Sequence, residues 1–387
     1  MRVLIVTVGS RGDVAPYTGL AARLRAAGHA VTIATHRPFE TLVTGTGCAF
    51  HALPGDPQTL LNAAALSVRA VPEIVRYLDR LAAALADAAR PGVDVLVAGS
   101  ATAPLVGRLG ARLGVPVLGA YLQPAHPTRA FPPPITAART FGGLGNRVAA
   151  HVVRTVLDGF SAPAARAHLG GSHRPPDAVY YGFSPAVLPP PPDWHPDLRV
   201  VGYWWPEPPV DWRPPASLVE FLAAGDPPVY VGLGSLGDGP RARRFAALAV
   251  QELRRHGFRV VAQGPAPADE GVLPLGDVPH ARLFPHVAAV VHHGGAGTTA
   301  AALRAGVPVV PVPIQADQHL WARRSVQLGV APGALRLRSA TANRLVDAVR
   351  AAIGDPQYRA NTARLAAVLA AEDGAGAVLE GIDRLAR

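Results

Sequence analysis

Short apolar runs alternate with helix-forming stretches along the first part of the chain. Val3–Val8 predicts a buried strand, Pro16–Ala27 a helix and Ala30–Thr35 a second strand. Gly28 follows the helical stretch, at a position where glycine commonly ends a helix. Two further apolar runs predict strands at Val93–Ala98 and Pro116–Ala120. This alternation indicates a parallel sheet with crossover helices.

The second half of the chain repeats the pattern. Val229–Leu233 predicts a strand, Arg241–Arg255 a helix and Phe258–Ala262 the next strand. Further strands are predicted at Ala288–His292 and Val307–Val312. The turns after the two first strands are also alike, since V-G-S-R-G-D at 8–13 parallels L-G-S-L-G-D at 233–238. We therefore predict an α/β protein with two Rossmann-like, doubly wound parallel-sheet domains facing a central cleft, where the carboxyl ends of the strands bind ligands.

The chain of 387 residues exceeds one typical hydrophobic core. A stretch rich in proline and tryptophan, Pro189–Pro215, separates the two halves and suits a stiff connection. We predict an N-terminal domain at 1–202, a linker at 203–216, a C-terminal domain at 217–370 and a C-terminal helix at 371–387 that packs back on the N-terminal domain. Residues 55–90 and 121–185 fit the alternation poorly and are interpreted as insertions that contribute a ligand pocket.

The composition narrows the class of partner. The net charge is +10, but the basic residues are arginines spread singly, without a basic run or an interleaved aromatic platform. This pattern argues against nucleic-acid binding and suits a small phosphate-bearing ligand. No window of about 18 uninterrupted apolar residues predicts a transmembrane segment. The single Cys48 cannot form an internal disulfide, so a cytoplasmic location is expected.

A glycine-rich segment, H-H-G-G-A-G-T-T at 292–299, lies between a predicted strand and a predicted helix at Ala300–Arg304. Small residues at a helix start leave backbone N–H groups open, and the helix dipole adds about half a positive charge there. Thr298 and Thr299 add hydroxyl donors, and a histidine beside them can donate to a phosphate oxygen. The segment therefore predicts a diphosphate site. A turn required only for packing, or a zinc site using both histidines, are the alternatives.

Two stretches partly match the dinucleotide-binding fingerprint. Gly232-x-Gly234-x-x-Gly237 follows a strand, but the next strand ends at Gln263 without the acidic residue that holds a ribose. Gly295-x-Gly297-x-x-Ala300 with Asp317 after the following strand is the better match. An NAD(P)-dependent oxidoreductase is therefore kept as an alternative.

The segment P-I-Q-A-D-Q at 313–318 follows the predicted strand Val307–Val312. Asp317 and Gln318 place an acceptor beside a donor, a pair that can hold neighbouring sugar hydroxyls. The alternative is a helix N-cap, because Asp317 precedes a helical stretch.

These motifs together resemble one enzyme family. H-H-G-G-A-G-T, a strand and then D-Q resemble the donor site of nucleotide-sugar glycosyltransferases with the two-domain GT-B fold, the UDP-glycosyltransferase superfamily. The opening G-S-R-G-D-V-x-P-Y resembles the bacterial natural-product and sterol glucosyltransferase branch. The resemblance covers both halves. It implies that the N-terminal domain binds an acceptor and the C-terminal domain a nucleotide sugar.

The resemblance assigns roles to individual residues. Asp13 matches the catalytic carboxylate, although the family's usual V-Q-P after it is Val14-Ala15-Pro16 here. The stretch Asp277–His280 lies where plant relatives have a base-stacking tryptophan, so uridine and thymidine donors both stay open. The donor-binding residues implied are Ser10, Arg11, Gly12, Ser235, Val278, His293, Gly295, Gly297, Thr298, Asp317 and Gln318.

The predicted function follows from these roles. We expect an inverting transfer of a hexose from a UDP- or dTDP-sugar to a hydroxyl of a small lipophilic acceptor, with Asp13 as general base. Fixed N–H donors can stabilise the departing diphosphate, and no Asp-x-Asp occurs, so neither a metal nor another cofactor is expected.

A sugar-nucleotide epimerase of the same fold and a catalytically silent homologue are the remaining alternatives. An adhesion role for Arg11-Gly12-Asp13 would require secretion, which nothing in the sequence indicates. The acceptor, the sugar and the oligomeric state are not specified by the sequence.

Overall fold

A computed structural model describes residues 1–55, 71–136, 140–170, 172–206, 212–234, 239–264 and 269–385. The chain divides into two compact units. The N-terminal unit comprises Met1–Pro133, Ala138–Glu207 and Glu372–Arg387, and the C-terminal unit comprises Pro134–Ala137 and Pro208–Ala371. Of the predicted linker 203–216, residues 207–211 lie outside the described part of the chain.

The described residues of the N-terminal unit form a parallel sheet flanked by helices. Its strands are β1 (Arg2–Val6), β2 (Ala30–His36), β3 (Ala49–Leu53), β4 (Val95–Ala98), β5 (Val117–Tyr121), β6 (Ala178–Tyr181) and β7 (Leu198–Val200). Its helices are α1 (Arg11–Ala26), α2 (Glu40–Thr44), α3 (Val71–Ala88), α4 (Ala103–Leu113), α5 (Gly142–His168) and, near the end of the chain, α13 (Gly374–Leu385).

The described residues of the C-terminal unit form a second parallel sheet. Its strands are β8 (Val229–Gly232), β9 (Val260–Gln263), β10 (Val272–Leu275), β11 (Ala289–His292) and β12 (Val309–Pro311). Its helices are α6 (Ala216–Ala223), α7 (Pro240–Arg255), α8 (His280–Leu283), α9 (Ala296–Arg304), α10 (Gln318–Gln327), α11 (Ala342–Gly354) and α12 (Pro356–Ala370). Short 3₁₀ turns at Arg37–Phe39, Pro134–Thr136 and Phe284–His286 complete the described elements.

Both sheets have the strand order of doubly wound folds. The first runs β3-β2-β1-β4-β5-β6-β7 and the second β10-β9-β8-β11-β12. In each unit the order reverses beside the first strand, between β1 and β4 and between β8 and β11. Ligands of open α/β sheets bind outside the carboxyl ends of the strands at this reversal. The predicted fold class, with two Rossmann-like parallel-sheet domains, is confirmed.

The core of the N-terminal unit also includes the end of the chain. Ile5 of β1 and Leu20 of α1 are fully buried, and they belong to one apolar cluster with Val378 and Ile382 of α13. Gly374 at the start of α13 lies so close to the chain that a Cβ atom there would be 2.3 Å from the carbonyl oxygen of Gly202. Helix α13 therefore packs within the N-terminal unit.

The sequence predictions about the elements were incomplete in two respects. The helix after β1 begins at Arg11 rather than Pro16, because Ser10 caps it. Strands β3, β6, β7 and β10 were not predicted, and β6 falls inside a stretch interpreted as an insertion. Parallel pairing of β6 with β5 and of β7 with β6 extends the first sheet through two strands of only four and three residues. Gly28 was correctly placed after a helix, with a φ of 87°.

Candidate active site

The loop after β1 places Asp13 at the strand reversal of the N-terminal sheet. Ser10 occupies the N-cap of α1, so Asp13 is the third residue of the helix. Its carboxylate Oδ2 accepts hydrogen bonds from the backbone N–H and the hydroxyl of Ser10, both at 2.8 Å. A carboxylate at this helical position commonly accepts from the N-cap N–H, which fixes the helix start. Asp13 therefore has a local structural role beside any chemical one.

Gly9 closes the other side of this carboxylate. Its φ of 130° is a backbone conformation that favours glycine. A Cβ atom at Gly9 would lie 2.5 Å from Oδ2 of Asp13, which no side chain tolerates. The hydroxyl of Thr7 donates to the Asp13 carbonyl oxygen at 2.8 Å. Gly9 and Thr7 thus hold the backbone and the carboxylate of Asp13 together, a constraint that sequence reasoning had not detected.

Burial changes the acidity of Asp13. Desolvation raises the pKa of its carboxyl, while the two Ser10 hydrogen bonds act in the opposite direction. A carboxylate with a raised pKa is a stronger base than an exposed one. Arg11 and Gly12, the first two residues of α1, are exposed beside it. The structure therefore brings Ser10, Arg11, Gly12 and Asp13 onto one helix N-terminus.

The loop after β11 lies at the strand reversal of the C-terminal sheet. Gly294 has a φ of 82°, and Gly295 is the N-cap of α9. Helix α9 starts at Ala296, within the glycine-rich segment, so Gly297 and Thr298 belong to its first turn. The N–H of Thr299 donates to the carbonyl oxygen of Gly295 at 3.0 Å, so the N–H groups of residues 296–298 precede this helical bond. Such groups form an anion-binding end.

His293 lies against this loop with very little space around its ring. A Cβ atom would lie 2.6 Å from its Cε1 if added at Gly234 and 2.3 Å from its Nε2 if added at Gly295. Burial lowers the pKa of His293 to about 4, although a hydrogen bond to the Gly232 backbone acts in the opposite direction. Its Nδ1 is buried and makes no hydrogen bond within the part of the chain that the structure describes. The ring is therefore neutral at pH 7 and carries a single N–H, so its Nδ1 can donate to a ligand only in the tautomer that has the proton there.

His292 supports the same loop from inside the sheet. It is fully buried, and its Nδ1 accepts the Gly294 N–H at 3.1 Å. Burial, together with the nearby rings of His293 and His280, holds the pKa of His292 well below its ordinary value. Two histidines adjacent in the sequence thus have different surroundings, one inside the sheet and one beside the loop.

Asp317 and Gln318 begin helix α10 after β12. Oδ2 of Asp317 accepts a 2.8 Å hydrogen bond from the indole Nε1 of Trp321. Asp317 occupies the N-cap position, but its side chain makes no capping bond there. Gln318 is buried, and its Oε1 accepts from the N–H groups of Ile314 at 2.8 Å and Gln315 at 3.1 Å. The amide oxygen of Gln318 is therefore used by the protein backbone, whereas its amide nitrogen makes no hydrogen bond within the described residues.

The segment after β10 contains Val278, which is buried, and Asp277, which is exposed. His280, two residues after Val278, stacks its ring on that of Phe284, with centroids 4.4 Å apart and 11° between the planes. Its Nε2 lies 3.3 Å from the hydroxyl of Tyr230 on β8. The sequence reasoning missed this aromatic group, because its members are 54 positions apart at most and join only in the folded sheet. Ser235 lies outside the described residues.

Neither a metal-binding cluster nor a membrane-spanning helix is found among the described residues. They contain no cluster of three or more His, Cys, Asp or Glu side chains that could hold a metal ion. Within the same part of the chain, no helix has both the length and the apolar character needed to cross a bilayer.

Comparison with known proteins identifies the family. The profile of the glycosyltransferase family 28 N-terminal domain matches residues 3–117. That of the erythromycin biosynthesis protein CIII-like C-terminal domain matches residues 266–383. The chain is 35% identical to O-mycaminosyltylonolide 6-deoxyallosyltransferase of Streptomyces fradiae, over 97% of this chain and 95% of that protein. It is 31% identical to a sterol 3-beta-glucosyltransferase of Arabidopsis thaliana, over 98% of this chain and 64% of that protein.

Solved structures agree in fold. The spinosyn forosaminyltransferase SpnP superposes with a TM-score of 0.74 at 18% identity, over the whole of both chains. The glycosyltransferase SsfS6 of Streptomyces sp. SF2575, complexed with thymidine diphosphate, gives a TM-score of 0.68 at 24% identity over 99% of both chains. The chain therefore belongs to the GT-B glycosyltransferases that include natural-product and sterol sugar transferases, and it is a glycosyltransferase.

Proposed function

We propose that this glycosyltransferase moves a hexose from a UDP- or dTDP-sugar to a hydroxyl of a small lipophilic acceptor, with inversion at the anomeric carbon. The observation that supports this most directly is the pair of loops at the two strand reversals. One holds a partly buried carboxylate, and the other joins a helix N-terminus to a neutral histidine. Such a transfer requires a general base for the acceptor hydroxyl and an anion-binding site for the leaving diphosphate.

In this mechanism Asp13 accepts the proton of the acceptor hydroxyl as its oxygen attacks the anomeric carbon. The bond from the anomeric carbon to the diphosphate oxygen breaks in the same displacement, so the configuration inverts. A positioned base of this kind contributes about 10²–10⁴-fold to the rate. The raised pKa of Asp13 supports the role, because it brings the carboxylate closer to the pKa that suits a base at neutral pH.

The donor diphosphate is assigned to the loop after β11. The N–H groups of the first turn of α9 would face its oxygens, and the helix dipole would stabilise the negative charge that grows on the leaving group. Nδ1 of His293 lies beside them, and we propose that it carries a proton, as the Nδ1–H tautomer or the protonated ring, when it donates to a diphosphate oxygen. Ser235 is proposed to meet a phosphate, on the strength of its sequence position alone. Asp317 and the amide nitrogen of Gln318 are proposed to bind sugar hydroxyls.

The acceptor class and the nucleotide rest on the relatives. One relative is named O-mycaminosyltylonolide 6-deoxyallosyltransferase and others are named sterol 3-beta-glucosyltransferases, which supports a lipophilic alcohol as the acceptor. The structures of SsfS6 and VinC contain thymidine diphosphate. We propose domain boundaries at 1–202, 203–216, 217–370 and 371–387, with acceptor binding in the first domain and donor binding in the third.

The test is a panel of UDP- and dTDP-sugars combined with macrolide aglycones and sterols, with products detected by mass spectrometry and the new linkage determined by NMR. We expect a β-linked product from an α-linked donor for at least one pair.

Asp13→Asn should abolish this product while UDP or dTDP still binds. Asp238 occupies the position in L-G-S-L-G-D that Asp13 occupies in V-G-S-R-G-D. Asp238→Asn is therefore the control variant, and it should retain transfer. Donor consumption without an acceptor product would indicate an epimerase instead, and full activity of Asp13→Asn would exclude Asp13 as the base.

A further inference from the structure

Ser10 directs two hydrogen-bond donors to a single oxygen of Asp13. Its backbone N–H and its hydroxyl both lie 2.8 Å from Oδ2. Both distances are well within the range of protein hydrogen bonds. The other oxygen, Oδ1, makes no hydrogen bond within the part of the chain that the structure describes. The two carboxylate oxygens are therefore not equivalent before any substrate arrives.

We propose that Ser10 is a positioning residue, which holds Oδ2 of Asp13 so that Oδ1 is the oxygen that receives the acceptor proton. This rests on the proposed function, in which Asp13 is the general base. It differs from the role that family resemblance implies for Ser10, which is contact with the donor. A hydroxyl that donates its one proton to Asp13 cannot donate the same proton to a phosphate.

The neighbours of Asp13 leave Ser10 as the group that can do this. Gly9 contributes backbone only, and it lies so close to the carboxylate that a Cβ atom there would be 2.5 Å from Oδ2. Thr7, at the end of β1, directs its hydroxyl to the Asp13 carbonyl rather than to the carboxylate. Tyr17, one turn further along α1, is the titratable side chain that interacts electrostatically with Asp13, and its own hydroxyl donates to the carbonyl oxygen of Ala120.

The Ser10 hydroxyl also affects the proton affinity of Asp13. Hydrogen bonds to the charged form favour that form, so they lower the pKa that burial raises. Loss of the hydroxyl should therefore raise the pKa of Asp13 further. Because the ionised carboxylate is the active form, the acid limb of the pH–rate profile should move to higher pH, by about one unit.

The experiment compares Ser10→Ala, Ser10→Thr and Ser10→Gly in the full chain. The profile of kcat/KM for the acceptor is measured against pH, and the affinities for UDP and dTDP are measured by calorimetry. Ser10→Ala should shift the acid limb upward without weakening nucleotide binding, and Ser10→Thr should restore the wild-type limb. Glycine is a good N-cap without a hydroxyl, so Ser10→Gly gives the same readout if Ser10→Ala does not fold.

Thr341→Ala is the matched control. Thr341 is the N-cap of α11, its side chain accepts the Arg344 N–H, and it lies outside both proposed sites. Its loss should lower stability without moving the acid limb.

Weaker nucleotide binding by Ser10→Ala with an unchanged acid limb would overturn the positioning role in favour of donor contact. If Ser10→Ala changes neither the acid limb of the pH–rate profile nor the nucleotide affinity, Ser10 neither positions Asp13 nor contacts the donor. The role of Asp13 as the base is then tested separately by Asp13→Asn. Full activity of Asp13→Asn would overturn the proposed function and the positioning role together.

Discussion

The indole of Trp321 donates a 2.8 Å hydrogen bond to Oδ2 of Asp317, one turn earlier on the same helix. Trp321 is almost completely buried, so this bond connects a proposed sugar-binding carboxylate to the interior of the C-terminal unit. An aspartate at a helix start usually caps the helix, but here the side chain turns to the tryptophan instead. The carboxylate is therefore oriented by a side chain one helical turn away, whose own position is set by its burial.

Trp321→Phe should raise the KM for the sugar donor about tenfold, equivalent to about 1.4 kcal/mol, because Asp317 loses the group that orients it. The kcat should change less. Steady-state kinetics with varied donor provide the measurement. Trp204→Phe is the matched control, since Trp204 is equally buried and donates its indole N–H to the Gly374 carbonyl oxygen at 3.2 Å in the N-terminal unit. A donor KM that rises equally in both variants would indicate a general loss of stability.

Asp13→Asn and Asp13→Ala should differ in stability although both should be inactive. Asparagine keeps an oxygen that accepts from Ser10, so the cap of α1 is retained. Alanine removes it, which should cost about 1 kcal/mol of unfolding free energy. Urea unfolding of the two variants and the wild type measures the difference. Equal stability of the two variants would show that the Ser10 bonds to Asp13 contribute little to the helix.

His293 should make stability depend on pH. Its folded pKa of about 4 lies below the value of about 6.5 in an unfolded chain. Between these values the unfolded chain binds a proton at His293 that the folded chain does not. The contribution of His293 to the free energy of unfolding is therefore fully present above about pH 6.5 and is lost as the pH falls toward 4. The loss of stability between about pH 7.5 and about pH 5 should be smaller in His293→Gln by about 2 kcal/mol.

An equal loss of stability over this pH range in the wild type and in His293→Gln would show that His293 does not cause it. The same preparations serve a second measurement. His293→Ala should weaken UDP or dTDP binding about tenfold, through loss of a hydrogen bond to a charged group. Unchanged nucleotide affinity would count heavily against a phosphate contact.

Ile382→Ala should destabilise the N-terminal unit by about 2–5 kcal/mol, because it leaves a cavity in a fully buried cluster. Leu385→Ala, on the same helix but 37% exposed, should have a much smaller effect. Hydrogen exchange on α1 reports the change locally, and nucleotide affinity should be retained. Similar effects of the two substitutions would show that α13 is not docked as described.

EDTA should leave the transfer rate unchanged if the helix N-terminus and His293 stabilise the leaving diphosphate. Rates are measured with and without the chelator, followed by addition of Mg²⁺ or Mn²⁺. A large loss of rate that either ion restores would replace the metal-independent mechanism by a metal-assisted one.

The sequence by itself determined the alternation of strands and helices, the two similar halves and the family. It did so because apolar periodicity and glycine-rich turns are local properties. H-H-G-G-A-G-T-T was read as an anion-binding helix start, and the helix does begin within it, at Ala296. The position of Gly28 after α1 was predicted from the same kind of local signal.

Tertiary structure decided which atoms of the proposed site are already engaged. The His293 ring against Gly234, the ring contacts of His280 with Tyr230 and Phe284, and the cluster that joins α13 to β1 and α1 depend on how distant segments pack. The start of α1 at Arg11 rather than Pro16 is a local effect of the bonds between Ser10 and Asp13, which apolar periodicity does not reveal. Residue order specifies the local turns and caps, whereas contacts between residues far apart in the sequence are specified by packing.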